Sequence, residues 1–73
     1  MSDERPVTIH VRVMNEGTDA WRAVRALRQR EDIYCIIGPM DEDEQWQFPP
    51  GSMVRRKPKV MSNGKQEMVA VAP

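Results

Sequence analysis

Hydrophobic and polar residues alternate near the N-terminus of the chain. The string V-T-I-H-V-R-V at 7–13 places β-branched residues at odd positions and polar residues at even positions. Successive side chains of a strand point to opposite faces, so this period of two predicts a strand with one buried and one exposed face, as in an antiparallel sheet. Residues 1–6 are predicted to be a flexible polar lead-in, and 7–73 a single small β domain.

The next segment, T-D-A-W-R-A-V-R-A-L-R-Q-R at 18–30, fits two interpretations. Alanine, leucine and arginine are strong helix formers, and Thr18 can act as an N-cap after a turn at Gly17, so local propensity favours a helix. An extended conformation instead places four residues on one face: Trp21, Ala23, Arg25 and Leu27. The residues alone leave both conformations open.

Turn residues divide the rest of the chain. The run I-Y-C-I-I at 33–37, which is followed by Gly-Pro, is β-branched and aromatic and is typical of a short buried strand. The segment Pro-Pro-Gly at 49–51 is expected to form a turn, because proline cannot donate a hydrogen bond inside a sheet. Between these two lies an acidic loop at 41–44.

The C-terminal part predicts a β-hairpin. Asn-Gly at 63–64 lies between M-V-R-R-K-P-K-V-M and Q-E-M-V-A-V-A, and this dipeptide is the strongest short-range hairpin signal. A two-residue loop there predicts Val60 opposite Glu67 and Pro58 opposite Val69. Because proline lacks an amide hydrogen, its strand is expected to be an edge at that point. The register groups four valines on one side: Val54, Val60, Val69 and Val71.

Three strings resemble those of a known family: N-E-G-T-D-A-W-R at 15–22, I-Y-C-I-I-G-P at 33–39 and E-D-E-Q-W-Q-F-P-P-G-S-M-V-R at 42–55. Together they resemble a family of small uncharacterised bacterial proteins with the pattern EGTxxWR followed by EDExWxFPPGSxVR, over about residues 7–56. The resemblance implies an extended segment at 19–27, although Ala23 and the neighbouring arginines depart from the family pattern. It implies no activity and no catalytic residues.

With 19–27 extended, the chain contains five short strands joined by short connections. Five twisted strands can curl into a closed barrel, which removes most exposed edges. We therefore expect an all-β fold, a small five-stranded antiparallel SH3-like barrel. The alternative is an α+β fold in which one helix at about 18–30 packs across a sheet.

Composition limits the kinds of function. The chain has 73 residues, 11 basic and 11 acidic, and a formal net charge of zero, so no global field attracts nucleic acid or acidic lipid. A domain of this size holds one modest core. There is no apolar run of the ~20 residues that a membrane span needs. The single cysteine, Cys35, fits a reducing compartment, so the expected location is the cytoplasm.

Charged loops and strands are the candidate contact surfaces. We expect a non-enzymatic protein-interaction module that acts by surface occlusion as a small regulator, inhibitor or accessory subunit. The alternative is a small-barrel binder of RNA or single-stranded DNA that uses the basic strand at 55–59, whose alternate side chains are spaced about 7 Å apart. Trp46 is either a contact anchor or a plug of the core. The candidate partner-binding residues are Asp41, Glu42, Asp43, Glu44, Trp46, Arg55, Arg56, Lys57 and Lys59.

Other chemistry finds little support in the sequence. The acidic run at 41–44 lacks the ligand spacing and the glycine of a calcium loop, and there are too few cysteine and histidine residues for a structural zinc site. His10 and Cys35 are the only conventional pair of base and nucleophile, and no third group orients them. The four glycines form no phosphate-binding loop. We therefore expect no catalytic residues, no metal and no cofactor.

Overall fold

Five strands form a closed barrel in the computed structural model, which describes residues 5–16 and 20–73. Their bounds are β1 Val7–Arg12, β2 Trp21–Arg28, β3 Tyr34–Ile36, β4 Met53–Val60 and β5 Gln66–Val71. Each consecutive pair is antiparallel, and β1 closes the barrel by pairing with β5 at His10 and Val69. The predicted small barrel is confirmed, and the fold is consistent with an SH3-like barrel.

The closing pair corrects one part of the prediction. β1 and β5 run parallel, so the barrel is mixed and not purely antiparallel. The reason is the number of strands: when five strands alternate in direction, the first and the fifth point the same way. A barrel with an odd number of alternating strands must therefore close through one parallel pair.

The segment with two interpretations is a strand. β2 pairs with β1 along Val7–Arg12 on one edge and with β3 through Ala26–Arg28 on the other. Its even positions Val24 and Ala26 point into the barrel and are buried. Helix propensity differs between ordinary residues by at most about 0.7 kcal/mol each, which these pairings and this burial outweigh. The helix alternative is wrong for the described part of 18–30, while the suggested N-cap and turn at 17–18 fall outside the described residues.

The core is assembled from all five strands and one connecting segment. Branched aliphatic side chains from β1 point inward, as the alternation predicts, and Ile9 and Val11 are fully buried. The buried residues of the central cluster are Ile9, Val11, Val13, Val24, Ala26, Tyr34, Ile36, Trp46, Val54 and Ala70. The connecting segment supplies Trp46, which closes one end of this small core.

The hairpin between β4 and β5 has a three-residue loop instead of the expected two-residue loop. Gly64 donates its amide hydrogen to the Met61 carbonyl at 2.9 Å, and Met61 donates to the Lys65 carbonyl at 2.8 Å. Gly64 has φ +86°, as required of the last residue in a turn that ends in a bulge. Val60 therefore lies opposite Gln66, one residue earlier than expected.

The one-residue shift exchanges the two faces of β5. Ala70 belongs to the core cluster together with Val54, whereas Val69, which is also buried, lies on the opposite face of the strand. Val60 lies beyond the end of the barrel and is 64% exposed. The predicted grouping of these valines with Val71 on one side is therefore wrong.

The chain crosses one end of the barrel between β3 and β4. Residues 45–47 pair antiparallel with the end of β1: Met14 donates to the Gln45 carbonyl at 2.6 Å, and Gln47 donates to the Arg12 carbonyl at 2.8 Å. The predicted turn follows, in which Ser52 donates to the Pro49 carbonyl at 3.0 Å. This crossing segment brings the acidic loop next to the start of β2.

Candidate interaction surfaces

A buried carboxylate lies where the crossing segment meets β2. Arg22 Nε donates to Glu44 Oε1 at 3.3 Å, Arg22 Nη2 donates to Oε2, and Trp46 Nε1 donates to Oε1 at 2.8 Å. Glu44 and Trp46 are each only 7% exposed, whereas the Arg22 side chain is 55% exposed. Both carboxylate oxygens are therefore satisfied by donors, as a buried charge requires.

The same contacts fix the charge state of the site. The hydrogen bond from Arg22, and after it the hydrogen bond from Trp46, hold the pKa of Glu44 below its usual value. Desolvation of the carboxylate acts in the opposite direction and is outweighed. Glu44 is therefore ionised at neutral pH, which keeps it paired with Arg22.

The acidic loop is held by hydrogen bonds to its backbone. Asp41 accepts hydrogen bonds from the amide of Asp43 through Oδ1 at 3.0 Å and from the amide of Glu44 through its carbonyl at 2.9 Å. Asn15 Nδ2 donates to the Asp43 carbonyl at 2.9 Å, and Asn15 Oδ1 accepts from the Gln45 amide at 3.0 Å. The loop is thus an ordered turn that is hydrogen-bonded to Asn15, which follows β1.

The predicted acidic and aromatic contact residues divide into two groups. Asp41, Glu42 and Asp43 are exposed at the tip of the loop, whereas Glu44 and Trp46 point inward. Trp46 packs in the core, so of its two predicted roles the structure places it as a plug. Glu44 and Trp46 therefore offer little accessible surface to a partner, and the exposed acidic part of this loop is limited to 41–43.

The hairpin from Arg55 to Lys65, here called the basic ribbon, extends past the barrel wall. β3 pairs with β4 only at Met53 and Val54, so the outer edge of β4 has no neighbouring strand beyond that point in the described chain. All residues of β4 after Val54 are exposed. Pro58 lies in this free edge, as predicted, where its missing amide hydrogen costs no pairing.

The basic ribbon carries charge of one sign. Between positions 55 and 65 it contains no acidic residue. Alternate residues of β4 share a face, so Arg55, Lys57 and Lys59 lie in a row on the outer face of the strand. The basic residues of the ribbon are Arg55, Arg56, Lys57, Lys59 and Lys65. By contrast, positions 31–44 contain only acidic charges, so a chain of zero net charge still has strongly charged regions.

Some of these cations already have partners within the protein. Arg55 Nε lies 3.4 Å from Asp32 Oδ2, and the Arg56 guanidinium carbon lies 4.9 Å from the centre of the buried Tyr34 ring. Lys59 Nζ lies 5.9 Å from the centre of the Trp21 ring. The side chains of two cations, at 57 and 65, have no such partner among the described residues. Lys57 and Lys65 are therefore the more available charges of the ribbon.

A groove opens beside β2. It has a volume of about 480 Å³ and lies between residues 22–25 of β2 and the chain after β3, which contributes Gly38, Pro39 and Asp41. Glu44 and Trp46 also line the groove, so the paired carboxylate is part of its surface. The sequence does not predict this groove, because the groove depends on the point at which the chain after β3 separates from β2.

His10 and Cys35, the conventional base and nucleophile in the sequence, are not brought together. His10 lies opposite Ala23 on β2, while Cys35 lies opposite Leu27, four residues further along the same strand and on its other side. Four residues of strand span roughly 13 Å, which is too far for a hydrogen bond. Among residues 5–16 and 20–73 there is no group of three potential metal-ligating side chains. The same residues include no helix of the length and apolarity that a membrane span requires.

The residues that carry the family resemblance meet in the structure. Arg22 and Asn15 come from the first string, and Glu44 and Trp46 come from the third. The pairing of Arg22 with Glu44 does not follow from the sequence, because it depends on how β2 and the crossing segment pack. Comparison with protein-family models, curated proteins and solved structures found no match. The resemblance therefore stays a hypothesis.

Proposed function

We propose that the protein is a non-enzymatic protein-interaction module whose basic ribbon binds an acidic surface of a partner protein. In this role it acts by surface occlusion, as a small regulator, inhibitor or accessory subunit. The observation that carries the proposal is the ribbon itself: exposed residues along β4, a free strand edge, and five basic residues with no acidic residue in the sequence from 55 to 65. Such a field steers association with an oppositely charged surface.

The aromatic residues favour a protein partner over a nucleic acid. Binding of single-stranded nucleic acid relies on exposed aromatic rings on which bases stack, together with a basic groove. Here Tyr34 and Trp46 are buried, and Trp21 and Phe48 are half-buried. A nucleic acid on the ribbon would therefore gain phosphate contacts and little stacking.

The ribbon also gives some support to the second candidate function, binding of RNA or single-stranded DNA. Lys57 and Lys59 lie on one face of β4 and are exposed, at the roughly 7 Å spacing of alternate strand residues. This is the geometry by which the alternative function, binding of RNA or single-stranded DNA, would contact successive phosphates. The test below separates the two by treatment with nuclease.

The groove beside β2 supports the non-enzymatic part of the proposal. Its buried carboxylate is Glu44, which is ionised, paired with Arg22 and bonded to Trp46. A general acid near neutral pH needs a raised pKa, and a general base needs lone pairs free to accept a proton. Glu44 has neither property.

The test is affinity capture from nuclease-treated lysate of the source organism. The bait is the wild-type chain, and a ribbon variant combines Lys57→Glu, Lys59→Glu and Lys65→Glu. A control variant with the same change in net charge combines Arg12→Glu, Arg28→Glu and Arg30→Glu, which are not part of the ribbon. We expect a captured protein that the ribbon variant loses and the control retains.

Two results would contradict the proposal. Capture that both variants lose equally would indicate a dependence on net charge and not on the ribbon. Capture that disappears when the lysate is treated with nuclease would favour the nucleic-acid alternative. Thermal unfolding of each variant is measured in parallel, so that loss of folding is not mistaken for loss of binding.

A further inference from the structure

The free edge of β4 presents backbone groups at every second residue. Met61 donates to the Lys65 carbonyl at 2.8 Å, so the odd positions of β4 direct their backbone groups toward β5. The even positions face the other edge, and Ile36 accordingly donates to the Ser52 carbonyl at 2.9 Å. Because β3 pairs with β4 only as far as Val54, positions 56, 58 and 60 point outward with no neighbouring strand in the described chain.

Pro58 is the middle one of these outward positions. An amide hydrogen there would point away from β5, into the space that an added strand would occupy, and proline has none. Pro58 lies opposite Met68 on β5, and the ladder between β4 and β5 loses no hydrogen bond at this point. The missing donor therefore affects only the free edge. A strand added along this edge could pair at positions 56 and 60 but would find no donor between them.

A second copy of the chain presents the same edge. Two identical strands can pair antiparallel about a two-fold axis, and the outward positions of one copy then face the outward positions of the other. Both copies contribute a Pro58 without an amide hydrogen. Any such pairing that spans position 58 therefore lacks two of its hydrogen bonds.

Charge opposes the same pairing. When the even positions of two copies face each other, the odd positions do so too, and these are Arg55, Lys57 and Lys59. Each register centred on positions 57–59 therefore places a lysine opposite a lysine, and like charges directly opposite each other are destabilising. The edge also carries Val60, which is 64% exposed and has no charge to oppose association.

We propose that Pro58 and the two lysines beside it prevent the free edge of β4 from pairing with a second copy of the chain. Pro58 withholds the central donor, and Lys57 and Lys59 repel an identical edge. An open strand edge is a template for aggregation, and proline and lysine are residues by which proteins protect such edges. The inference goes beyond the proposed function, because it concerns copies of this chain and not a partner of the ribbon.

The test is sedimentation velocity on four full-length chains up to millimolar concentration. They are the wild type, Pro58→Val, the double variant Lys57→Thr with Lys59→Thr, and the triple variant with all three changes. We expect the wild type to be monomeric and the triple variant to associate. Its association constant should exceed that of the double variant about tenfold or more, because two hydrogen bonds are restored.

A chemical control separates the missing hydrogen from the ring of proline. The triple variant synthesised with N-methylvaline at position 58 keeps the valine side chain but has no amide hydrogen there, and it should associate no more than the double variant. In the associated triple variant, hydrogen exchange should slow at the amides of positions 56, 58 and 60. Thermal unfolding shows whether each chain is folded. If the triple variant does not fold, Pro58→Val and the wild type are compared at about 1 M salt, where charges are screened beyond about 3 Å.

Four results would overturn the inference. One is a wild type that associates as strongly as the triple variant, and another is a folded triple variant that stays monomeric at millimolar concentration. Equal association of the N-methylated chain would show that the absent donor is not the barrier. Association without slower exchange at positions 56–60 would place the contact on another surface.

Discussion

Arg22 and Glu44 are 22 residues apart in the chain and form an ion pair with two hydrogen bonds at one end of the barrel. Trp46 gives a third hydrogen bond to the same carboxylate. The pair joins β2 to the segment that crosses the barrel end. A buried charge is tolerated when its partners are complete, and removing one partner leaves it uncompensated. The contact therefore fixes the crossing segment and the acidic loop against the barrel.

The first prediction concerns stability in acid. The pKa of Glu44 is lower in the folded protein than its usual 4.5, so the unfolded chain binds a proton at higher pH than the folded chain does. The stabilisation is thus present above about pH 4.5 and is lost as pH falls through the folded pKa. Glu44→Gln should lower the unfolding temperature at pH 7, and its difference from the wild type should shrink below pH 4.5.

Thermal unfolding between pH 3 and pH 7 measures this effect. The control is Glu42→Gln, an exposed residue of the same loop with no side-chain partner among the described residues, which should follow the wild-type curve. A Glu44→Gln curve parallel to that of the wild type over the whole range would show that the ion pair does not form.

A second prediction concerns the two tryptophans. Trp46 is buried and bonded to Glu44, whereas Trp21 is half-buried on the outer face of β2. The variant Trp21→Phe leaves Trp46 as the single tryptophan. The fluorescence of Trp46 should have its maximum at a shorter wavelength than that of free tryptophan and should resist quenching by acrylamide. If its fluorescence is quenched as readily as that of the free amino acid, Trp46 does not plug the barrel.

A third prediction tests the core. Ile9 is fully buried, so Ile9→Val should lower the free energy of unfolding by about 0.5–1.5 kcal/mol and Ile9→Ala by about 2–5 kcal/mol. The control is Val60→Ala on the exposed ribbon, which should change it by less than about 0.5 kcal/mol. Urea denaturation measures all three. Equal losses at positions 9 and 60 would be incompatible with the alternation of inward and outward residues along β1.

A fourth prediction separates strain from collision at two glycines. Gly38 has φ +74°, and a Cβ added there would lie 2.7 Å from Pro50 Cγ, whereas Gly64 has φ +86° and nothing within 4 Å of an added Cβ. Gly64→Ala should therefore lower the free energy of unfolding by only about 1–2 kcal/mol, which is the cost of left-handed backbone for a residue with a side chain. Gly38→Ala should lower the free energy of unfolding by more, because the added Cβ also collides with Pro50. Urea denaturation measures both variants. A smaller loss at Gly38 would place Pro50 elsewhere.

The sequence predicts the parts of the fold that depend on neighbouring residues. The period of two at 7–13, the branched run at 33–37 and the turn at Pro-Pro-Gly are local signals, and each corresponds to the observed structure. The segment at 18–30 was ambiguous because alanine and arginine favour a helix. Only the pairing of β2 on both edges, a long-range effect, makes it extended.

The errors have physical causes that local patterns do not contain. Asn-Gly suits both a two-residue loop and a three-residue loop that ends in glycine, and choosing the wrong one shifts the register by one residue. The acidic run gave no sign that its last member, Glu44, turns inward, because that depends on Arg22 in β2. The parallel closure, in contrast, follows from the count of five strands.

The central claim is that the basic ribbon contacts a protein, and site-specific photo-crosslinking tests it most directly. A photoreactive phenylalanine derivative replaces Val60, which is 64% exposed on the ribbon, or Thr8, which is exposed on the outer face of β1. After irradiation in lysate of the source organism, we predict a crosslink from position 60 to one protein that survives nuclease and is absent from position 8. Crosslinks to nucleic acid, equal crosslinks from both positions, or none from position 60 would contradict the account.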